Sequence, residues 1–548
     1  MALPAAACVL IAMAKLALVW RININWDEFF FLSHVHELVG GRLTLVLQGA
    51  YAHLFRWLTW LDGNEIDQII GARLVMFALF ALTLFLLWRL ARVWTSNEAA
   101  ALAPLCYLVM SPVLKHGASF RYDSLMVPLS VLILLLLSDQ ELQRRKIVLA
   151  AICLGMSAAI SVKAILLVPA AAVLLLLTCL EHNPFPWRKL VADGVLLGLM
   201  SAAAAAMLLG LHKLSIVLPA PDSPQVVTET VDKVLLSVPF FPQPGSFYAT
   251  RYTDSFAWLL LLLGALGAIA WRRYRPALAC SLTLLPILFY RNAFPYYYVL
   301  MLAPACVLVA VAADGLREFL GRYGYPAGAS LMLSTIALAL FGHGALQLLD
   351  LRHDGQAGQR LVVDTVHRVF PQPVPYLDHS GMMATFPKVN PFLSTWGVQS
   401  YRAAGHGFMA EALRAHGPPL LLANRPVLDP TAGAFKLLLP EDQELIHRFY
   451  LPYWGPIRVA GAAFTVGGEG TETIVELPFS GSFRLETSEP LLVNGTPRRN
   501  GDVVAVEDKA VRVRVAATGA AVEGRFIIAS AQPPPPGEMP SFPLYDGL

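Results

Sequence analysis

Charged residues are scarce in this chain. Asp, Glu, Lys and Arg make up 14% of its 548 residues, against about 25% in an ordinary soluble protein. Hydrophobic residues make up 56%, and the mean hydropathy is +0.57. The formal net charge is only +3, so the basic excess of nucleic-acid-binding proteins is missing. These values exclude a soluble globule, a disordered chain and a nucleic-acid-binding protein, and they predict a polytopic membrane protein.

Cysteine is also rare and has no metal-ligand spacing. All six cysteines lie in long apolar runs and none follows residue 345, so we interpret them as small apolar core residues. The histidines form no metal motif either. The sequence lacks a P-loop, a GxGxxG motif, a CxxC pair and an internal repeat, so these common motifs give no indication of function.

Long apolar runs fill the first two thirds of the chain. A transmembrane helix needs about 20 mostly apolar residues, and about eleven segments come close to this length. They lie at about residues 4–22, 68–88, 98–114, 122–138, 146–161, 164–180, 191–211, 256–271, 277–290, 297–313 and 327–348. Most basic residues of the short connecting loops fall on the side of the N-terminus. The positive-inside rule therefore predicts a cytoplasmic N-terminus and an outer C-terminal region.

The composition changes after about residue 350. Residues 1–350 form the predicted membrane domain, in which an outer loop over 23–67 has the amphipathic pattern of helices lying in the membrane interface. Residues 351–455 predict an extramembrane α/β region. Residues 456–532 alternate apolar and polar residues between Asn-Gly turns, which predicts a β-sandwich-like module. A proline-rich tail follows over 533–548.

Acidic residues cluster at the predicted outer ends of the helices. Asp27 and Glu28 follow the first apolar segment, and Arg121 and Asp123 precede the fourth. A carboxylate beside a membrane is expensive to desolvate unless it is used or paired, and in such a setting it is a candidate general base. The alternatives are a solvated interfacial pair at Asp27 and Glu28, and a snorkelling Arg121 with its counter-ion.

Basic residues lie on the same predicted face. Lys163 lies in a short turn between two apolar segments, Arg291 precedes a tyrosine cluster that ends at Tyr298, and Arg73 lies near the outer end of the second segment. A lysine can hold a phosphate as a point charge, and an intramembrane arginine is a functional-site hypothesis by default. Snorkelling and an interfacial aromatic belt are the alternatives.

The order and sidedness of these residues resemble the GT-C superfamily of integral-membrane glycosyltransferases. Within it, the chain is similar to the branch that holds the protein O-mannosyltransferases and the lipid A aminoarabinose transferase. The resemblance implies a GT-C-like fold for about residues 1–350. Asp27, with Glu28 beside it, matches the family's acidic residue of the first outer loop, a catalytic base or metal-proximal ligand. Asp123 matches the acidic residue of the second outer loop.

The resemblance also implies a set of residues that bind the donor lipid phosphate. Lys163 matches the family lysine implicated in this role, although it stands in Val-Lys-Ala rather than Thr-Lys-Gly. Tyr298 begins a loose match to the family's Tyr-Leu-Leu-Pro-x-x-Pro motif. The basic residue expected about four positions earlier is replaced by Phe294, and Arg291 is the candidate substitute. Arg121 and Arg73 complete this predicted set.

The implied activity is transfer of a sugar from a polyprenyl-phosphate monosaccharide to an acceptor hydroxyl or amine, with inversion at the anomeric carbon. Asp27 is the expected base, assisted by Glu28 and Asp123, and these three are also candidate ligands for a divalent metal ion. The expected partners are the donor, the bilayer and an acceptor that is a lipid, a protein or a polysaccharide. The expected location is the bacterial cytoplasmic membrane, with the active site and C-terminal region on the periplasmic side.

Two alternatives belong to other classes of protein. A transporter or flippase of a lipid-linked substrate also carries basic residues at membrane edges, but it usually has ionisable residues near the midplane and inverted repeats. A non-catalytic envelope scaffold would use the membrane part only as an anchor, for which so many apolar segments are excessive.

Overall fold

Helices account for most of the first 351 residues in the computed structural model. The structure describes residues 2–139, 143–180, 186–217, 240–351, 355–467, 471–515, 521–537, 539–540 and 544–545, so the predicted proline-rich tail lies partly outside the described residues. The helices of this part are α1 (Ala2–Leu18), α2 (Trp26–Val39), α3 (Glu65–Ala91), α4 (Asn97–Ala100), α5 (Leu102–Val109), α6 (Ser111–His116), α7 (Tyr122–Leu137), α8 (Arg144–Ile160), α9 (Val168–Leu180), α10 (Trp187–Lys213), α11 (Pro244–Thr253), α12 (Ser255–Ala270), α13 (Leu278–Ser281), α14 (Pro286–Phe289), α15 (Tyr298–Ala305), α16 (Val307–Arg322) and α17 (Pro326–Leu351). Short 3-10 helices cover Ala50–Trp60, Val162–Leu167, Arg272–Ala277, Leu282–Leu284 and Pro295–Tyr297.

Fewer helices than predicted are long enough to cross a membrane. Among the described residues four qualify by length and composition: α3, the segment Val162–Leu180, α10 and α17. Two bent pairs raise the number to six if each is one span: α11 with α12, bent by 96°, and Pro295–Ala305 with α16, bent by 40°. Leu3–Leu18 and Tyr122–Leu137 are apolar but shorter. The predicted count of about eleven spans is therefore not confirmed.

Proline explains two of the differences. The segment predicted over 98–114 is divided into α4, α5 and α6, and Pro112 lies in the first turn of α6. The segment predicted over 277–290 is divided among α13, a 3-10 turn and α14, and Pro286 begins α14. Proline lacks the backbone N–H that would continue the preceding helix, and its fixed φ suits a helix start. An apolar run therefore does not guarantee one continuous helix.

The predicted amphipathic loop over 23–67 contains α2 and the 3-10 helix Ala50–Trp60. Asn25 begins α2 with a capping box, in which its side chain accepts a hydrogen bond from the Asp27 amide and Glu28 accepts one from the Asn25 amide. Most apolar residues of both helices are buried inside the protein. Leu54 and Trp60 are exposed and remain available to the membrane interface.

The C-terminal region combines helices with two sheets. Its helices are α18 (Ala357–Val369), α19 (Thr395–Ala404), α20 (Met409–Ala415) and α21 (Pro440–Phe449). Its strands are β1 (Tyr376–Leu377), β2 (Leu420–Leu422), β3 (Tyr450–Trp454), β4 (Ile457–Val466), β5 (Glu472–Glu476), β6 (Gly481–Thr487), β7 (Leu491–Val493), β8 (Thr496–Arg498), β9 (Val503–Val506), β10 (Ala510–Val515) and β11 (Val522–Ile528). Asn494 and Gly495 have positive φ and join β7 to β8, which is the hairpin turn that their sequence predicts.

One sheet crosses the predicted boundary between the α/β region and the β-module. The seven-stranded sheet has the order β1-β2-β4-β11-β6-β9, with β3 also paired to β4, and the second sheet has the order β5-β10-β7-β8. Strand β4 pairs with β2 and β3 on the N-terminal side of the boundary and with β11 on the other. The two predicted regions are therefore joined by continuous backbone hydrogen bonding.

The start of α18 holds the chain that leads into α2. The Gln359 amide forms two hydrogen bonds with the backbone of Ile24, at 2.8 and 2.9 Å. Gln356 donates to the carbonyls of Val19 and Ile22 at 3.1 and 2.9 Å. All of these groups are buried. The C-terminal region therefore fixes the position at which α2 begins.

Candidate active site

A cavity of about 330 Å³ lies beside the N-terminus of α2. Its wall combines α2 and the loop after it, the residues at the start of α7, the aromatic segment before α15, and the loop that leads into the first turn of α19. The lining residues are Trp26, Asp27, Phe30, Phe31, His34, Leu45, Leu47, Gln48, Arg121, Tyr122, Asn292, Phe294, Tyr296, Tyr297, Phe392, Ser394 and Trp396. Residues about 370 positions apart in the sequence therefore meet at one concave site.

Four of the predicted site residues form a continuous chain of charges next to this cavity. The buried Arg121 guanidinium pairs with Asp27 and lies 3.4 Å from Asp123. Lys163 Nζ lies 2.7 Å from the second oxygen of Asp123 and donates to the Tyr122 hydroxyl at 3.2 Å. Two carboxylates and two cations alternate, so the formal charges of these four side chains sum to zero. Each ion is compensated by a neighbour, which is what burial of charge requires.

Of the two carboxylates in this chain of charges, Asp27 is the one that lines the cavity. Its side chain is 16% exposed, against 3% for Asp123. The capping box at Asn25 sets the first turn of α2, so Asp27 and Trp26 both point into the cavity wall. Lys163 is positioned by a second cap, because Ser161 accepts a hydrogen bond from the Lys163 amide at the start of its 3-10 helix.

Glu28 and Arg73 form a separate, buried pair that does not line the cavity. Arg73 donates to both oxygens of Glu28, at 2.6 and 2.8 Å, and to the carbonyls of Val19, Ile22 and Asn23. Glu28 also accepts from the Phe120 amide at 2.8 Å. Burial alone raises the pKa of Glu28, but Arg73 and the backbone amides outweigh it and hold that pKa below its usual value. These contacts connect α2, α3 and the turn before α7. Neither side chain lines the cavity.

The three predicted metal ligands are not brought together. Glu28 is directed toward Arg73, and the Arg121 guanidinium lies between Asp27 and Asp123. Among the described residues, no group of three or more His, Cys, Asp or Glu side chains has the spacing of a metal site. In this arrangement these three residues do not fit a divalent ion.

The tyrosine cluster contributes differently from the prediction. Tyr298 is buried and does not line the cavity. Its two predecessors do, and each lies against a cation: Tyr296 is 3.9 Å from the Arg121 guanidinium, and Tyr297 is 3.9 Å from Lys163 Nζ. Tyr296 and Tyr297 belong to the 3-10 helix before α15, whereas Tyr298 is the first residue of α15. The sequence motif does not specify which of these neighbouring rings faces the cavity.

Arg291 is displaced from the predicted phosphate site. Its guanidinium stacks on the Trp396 ring at 3.5 Å and lies outside the cavity lining. Trp396 comes from the C-terminal region, together with Phe392 and Ser394. No local motif marks these three residues, so sequence reasoning missed them. Trp26 was also missed, although it precedes Asp27 directly.

The fold and the site together indicate the class of protein to which this chain is similar. The described residues include several apolar helices long enough to cross a membrane, and the fold is similar to that of GT-C glycosyltransferases, with paired carboxylates and cations beside a cavity. Residues 52–208 match the family model described as Dolichyl-phosphate-mannose-protein mannosyltransferase. Solved structures of other GT-C glycosyltransferases have a similar fold, which confirms the resemblance to that superfamily.

Two structural relatives cover most of this chain. ArnT from Cupriavidus metallidurans bound to undecaprenyl phosphate is 15% identical, with a TM-score of 0.54 over 79% of this chain and 94% of that one. The oligosaccharyltransferase from Archaeoglobus fulgidus in the apo form is 11% identical, with a TM-score of 0.51 over 92% of this chain and 75% of that one. At these identities the likeness shows the fold. A comparison with curated proteins finds no match.

Proposed function

We propose that the protein transfers a sugar from a polyprenyl-phosphate monosaccharide to an acceptor hydroxyl or amine. The observation that carries this proposal is the position of Asp27. It lines a cavity and is joined through Arg121 and Asp123 to Lys163, next to the N-terminal ends of α2 and α7. A base and two cations within one chain of contacts are what base-assisted displacement of a lipid phosphate requires. The undecaprenyl phosphate in the ArnT structure and the matched family are consistent with such a donor.

The proposed step is a single displacement. The acceptor oxygen or nitrogen attacks the anomeric carbon and forms the new bond, while its proton passes to the Asp27 carboxylate. The bond from the anomeric carbon to the phosphate oxygen breaks, and polyprenyl phosphate departs with the electron pair. Asp27 is the acidic residue among those that line the described cavity. A retaining mechanism needs a second carboxylate beside the anomeric carbon, so we favour inversion.

The cations have a second task in this scheme. Departure turns a phosphodiester into a phosphomonoester, and the added negative charge falls near Lys163 and Arg121. In the described state both cations are neutralised by carboxylates. A donor phosphate that contacts Arg121 competes with Asp27 for the guanidinium. Donor binding would thereby release Asp27 for its role as base.

The proposed location is the bacterial cytoplasmic membrane, with the cavity on the periplasmic side. The basic residues of the opposite loops support this orientation through the positive-inside rule. The acceptor is a lipid, a protein or a polysaccharide. The C-terminal region contributes Phe392, Ser394 and Trp396 to the cavity wall, which supports a direct part in substrate contact.

The test is sugar transfer by the purified protein from polyprenyl-phosphate sugars to envelope fractions. We expect transfer by the wild type, and a rate about 10²- to 10⁴-fold lower for Asp27→Asn. Asp62→Asn is the matched control, since Asp62 is an exposed carboxylate of the same outer loop. Wild-type rates in Asp27→Asn would remove Asp27 as the base.

A transporter predicts a different pattern. Asp254 is a buried carboxylate at the break between α11 and α12, where it accepts hydrogen bonds from Ser111 and Gln347 and contacts His343. If Asp254→Asn abolished movement of a lipid-linked sugar across the bilayer while Asp27→Asn had no effect, the transporter hypothesis would replace the enzyme.

A further inference from the structure

Three cationic side chains line a second pocket, which shares no lining residue with the candidate active site. They are Lys15 in the last turn of α1, Arg73 of α3 and Lys115 of α6. The other described lining residues are Ser119 and the apolar Leu18, Val19, Ile22 and Ala118. None of the described lining residues is Asp or Glu, so the pocket presents cations and one hydroxyl without a carboxylate.

Lys15 is a buried ammonium group without a counter-ion. Its side chain is 2% exposed, and its Nζ donates to the Leu114 carbonyl at 2.5 Å and lies 5.2 Å from the centre of the Phe80 ring. In the part of the chain that the structure describes, no carboxylate pairs with it. An ammonium group has three donors, so two are unused here. A buried charge without a partner is costly, and an anion at this position would offset that cost.

The other two cations differ in how far they are already compensated. Arg73 is paired with Glu28 and adds little net charge. Lys115 has no carboxylate partner among the described residues, and it is half-buried, whereas the other lining residues are buried. Lys15 and Lys115 therefore leave two positive charges without compensation, and Lys115 marks the accessible side of the pocket.

A phosphate group fits the chemistry and the depth of this pocket. Lysine holds a phosphate as a point charge, and the Ser119 hydroxyl is a further donor. The volume of about 20 Å³ exceeds the about 10–15 Å³ that one water molecule needs, so one phosphate oxygen fits inside while the rest of the group remains at the accessible side. Lys15 lies in the last turn of an apolar helix, where a bilayer places its charged headgroups.

We propose that Lys15, Lys115 and Ser119 form a phosphate-binding site. One phosphate oxygen lies between the two lysines, and the source of the phosphate is an anionic lipid headgroup or a free phosphate ion. The site is separate from the proposed donor-phosphate contacts at Lys163 and Arg121, and it does not depend on the proposed function.

The position of this site connects it to the candidate active site. The His116 ring, next to Lys115, packs against Tyr296 of the cavity wall, with the ring centres 6.1 Å apart. The same stretch of chain continues through Ser119 to Arg121, which pairs with Asp27. A phosphate held by Lys115 and Ser119 would therefore fix the turn that positions Arg121.

The first experiment compares two lipids with the same acyl chains, phosphatidylglycerol and diacylglycerol, which lacks the phosphate. Native mass spectrometry of the full-length protein in detergent measures the affinity of each, and inorganic phosphate is tested through Tm against chloride at equal ionic strength. We expect phosphatidylglycerol to bind at least tenfold more tightly than diacylglycerol. A rise of Tm with inorganic phosphate, without this lipid preference, identifies free phosphate as the source. Equal affinity for both lipids together with no effect of phosphate would overturn the inference.

Lysine variants assign the binding to this pocket. Lys15→Met and Lys115→Gln should each weaken binding of the phosphate-bearing ligand about tenfold and leave diacylglycerol unchanged. Because Lys115 is half-buried, Lys115→Gln tests the site even if Lys15→Met fails to fold. Lys213→Gln is the matched control, since Lys213 is an exposed lysine in the last turn of α10. Wild-type affinity in Lys115→Gln would contradict the inference.

Sugar-free polyprenyl phosphate separates this site from the proposed donor site. Lys163→Gln should weaken binding of polyprenyl phosphate, whereas Lys115→Gln should leave it unchanged. If Lys115→Gln weakened it as much as Lys163→Gln does, the pocket would belong to the donor site, and a separate phosphate site would be ruled out.

Discussion

Burial of ionised side chains is tolerated beside this cavity because each has a partner of opposite sign. Arg121 lies between Asp27 and Asp123, and Lys163 continues the chain from Asp123. A buried ion pair costs desolvation energy that only good geometry offsets. Such an arrangement is therefore weak evidence for stability and stronger evidence for a functional role. Glu28 and Arg73 are of another kind, because neither lines the cavity and they pair with each other.

At the residue scale, Glu28→Gln tests this distinction. The change leaves the Arg73 guanidinium, 4% exposed, without its counter-ion. We expect a loss of about 3–5 kcal/mol in the free energy of unfolding, measured by denaturation in detergent. Asp67→Asn is the control, because the pair of Asp67 with Arg360 is 43% and 38% exposed and should contribute at most about 1 kcal/mol. Similar losses in both variants would contradict a bracing role for Glu28.

Several of these residues could be predicted from the sequence, but not all of their partners. Asp27, Arg121, Asp123 and Lys163 follow or precede apolar segments on one predicted face, so sidedness predicts that they lie on the same side of the membrane but not which of them are in contact. The pairing of Glu28 with Arg73 is a matter of side-chain direction within the first turn of α2. Two adjacent carboxylates point about 100° apart on a helix, so one faces the cavity and the other faces α3.

At the element scale, close approach of α12 and α16 depends on a glycine. A Cβ at Gly264 would overlap with the Leu308 carbonyl. We expect Gly264→Ala to lower the free energy of unfolding by about 1–3 kcal/mol. Gly198→Ala is the matched control, because a Cβ at Gly198 in α10 meets no atom within 4 Å, and alanine favours a helix by up to about 1 kcal/mol. Stability changes of the same sign and size in both variants would contradict this account of the contact.

The apolar runs of the sequence predicted the positions of the helices well. They predicted less well which helices are continuous and which are divided. The segments over 68–88 and 191–211 correspond to the uninterrupted α3 and α10, which lack proline inside the helix. The segments with Pro112 and Pro286 are divided. In the C-terminal region the Asn-Gly turn identified the β7–β8 hairpin. The parallel pairing of β1 with β2 could not be predicted, because it joins strands about 40 residues apart.

At the scale of the whole molecule, the C-terminal region braces the membrane part. Gln356 and Gln359 hold the chain before α2. His367 of α18 lies 2.8 Å from Glu65 at the start of α3. Phe392 and Trp396 complete the cavity. A composition change after residue 350 indicates a separate region, but contacts between residues more than 300 positions apart leave no local pattern in a single sequence.

The contact of His367 with Glu65 makes this brace sensitive to pH. Burial alone lowers the pKa of His367, but the hydrogen bond to Glu65 and the charges of Glu65 and Asp364 outweigh it and raise that pKa above its ordinary 6.5. The stabilisation is therefore complete below about pH 6.5 and is lost as the pH rises through the raised pKa. We expect the Tm difference between wild type and His367→Gln to be larger at pH 6 than at pH 9.

The exposed His406 provides the control for that comparison. His406→Gln should leave Tm close to wild type at both pH values. A Tm difference for His367→Gln that stays constant between pH 6 and pH 9 would show that ionisation of His367 does not strengthen the contact.

The most direct test of the central claim separates chemistry from donor binding in two variants. Single-turnover transfer rates and donor dissociation constants are measured for Asp27→Asn and Lys163→Gln. The account predicts that Asp27→Asn lowers the rate about 10²- to 10⁴-fold with donor affinity unchanged or higher, because Arg121 is released. It predicts that Lys163→Gln weakens donor binding about tenfold or more, since a charge-assisted contact with phosphate is lost. A wild-type rate in Asp27→Asn, or wild-type donor affinity in Lys163→Gln, would contradict the assignment.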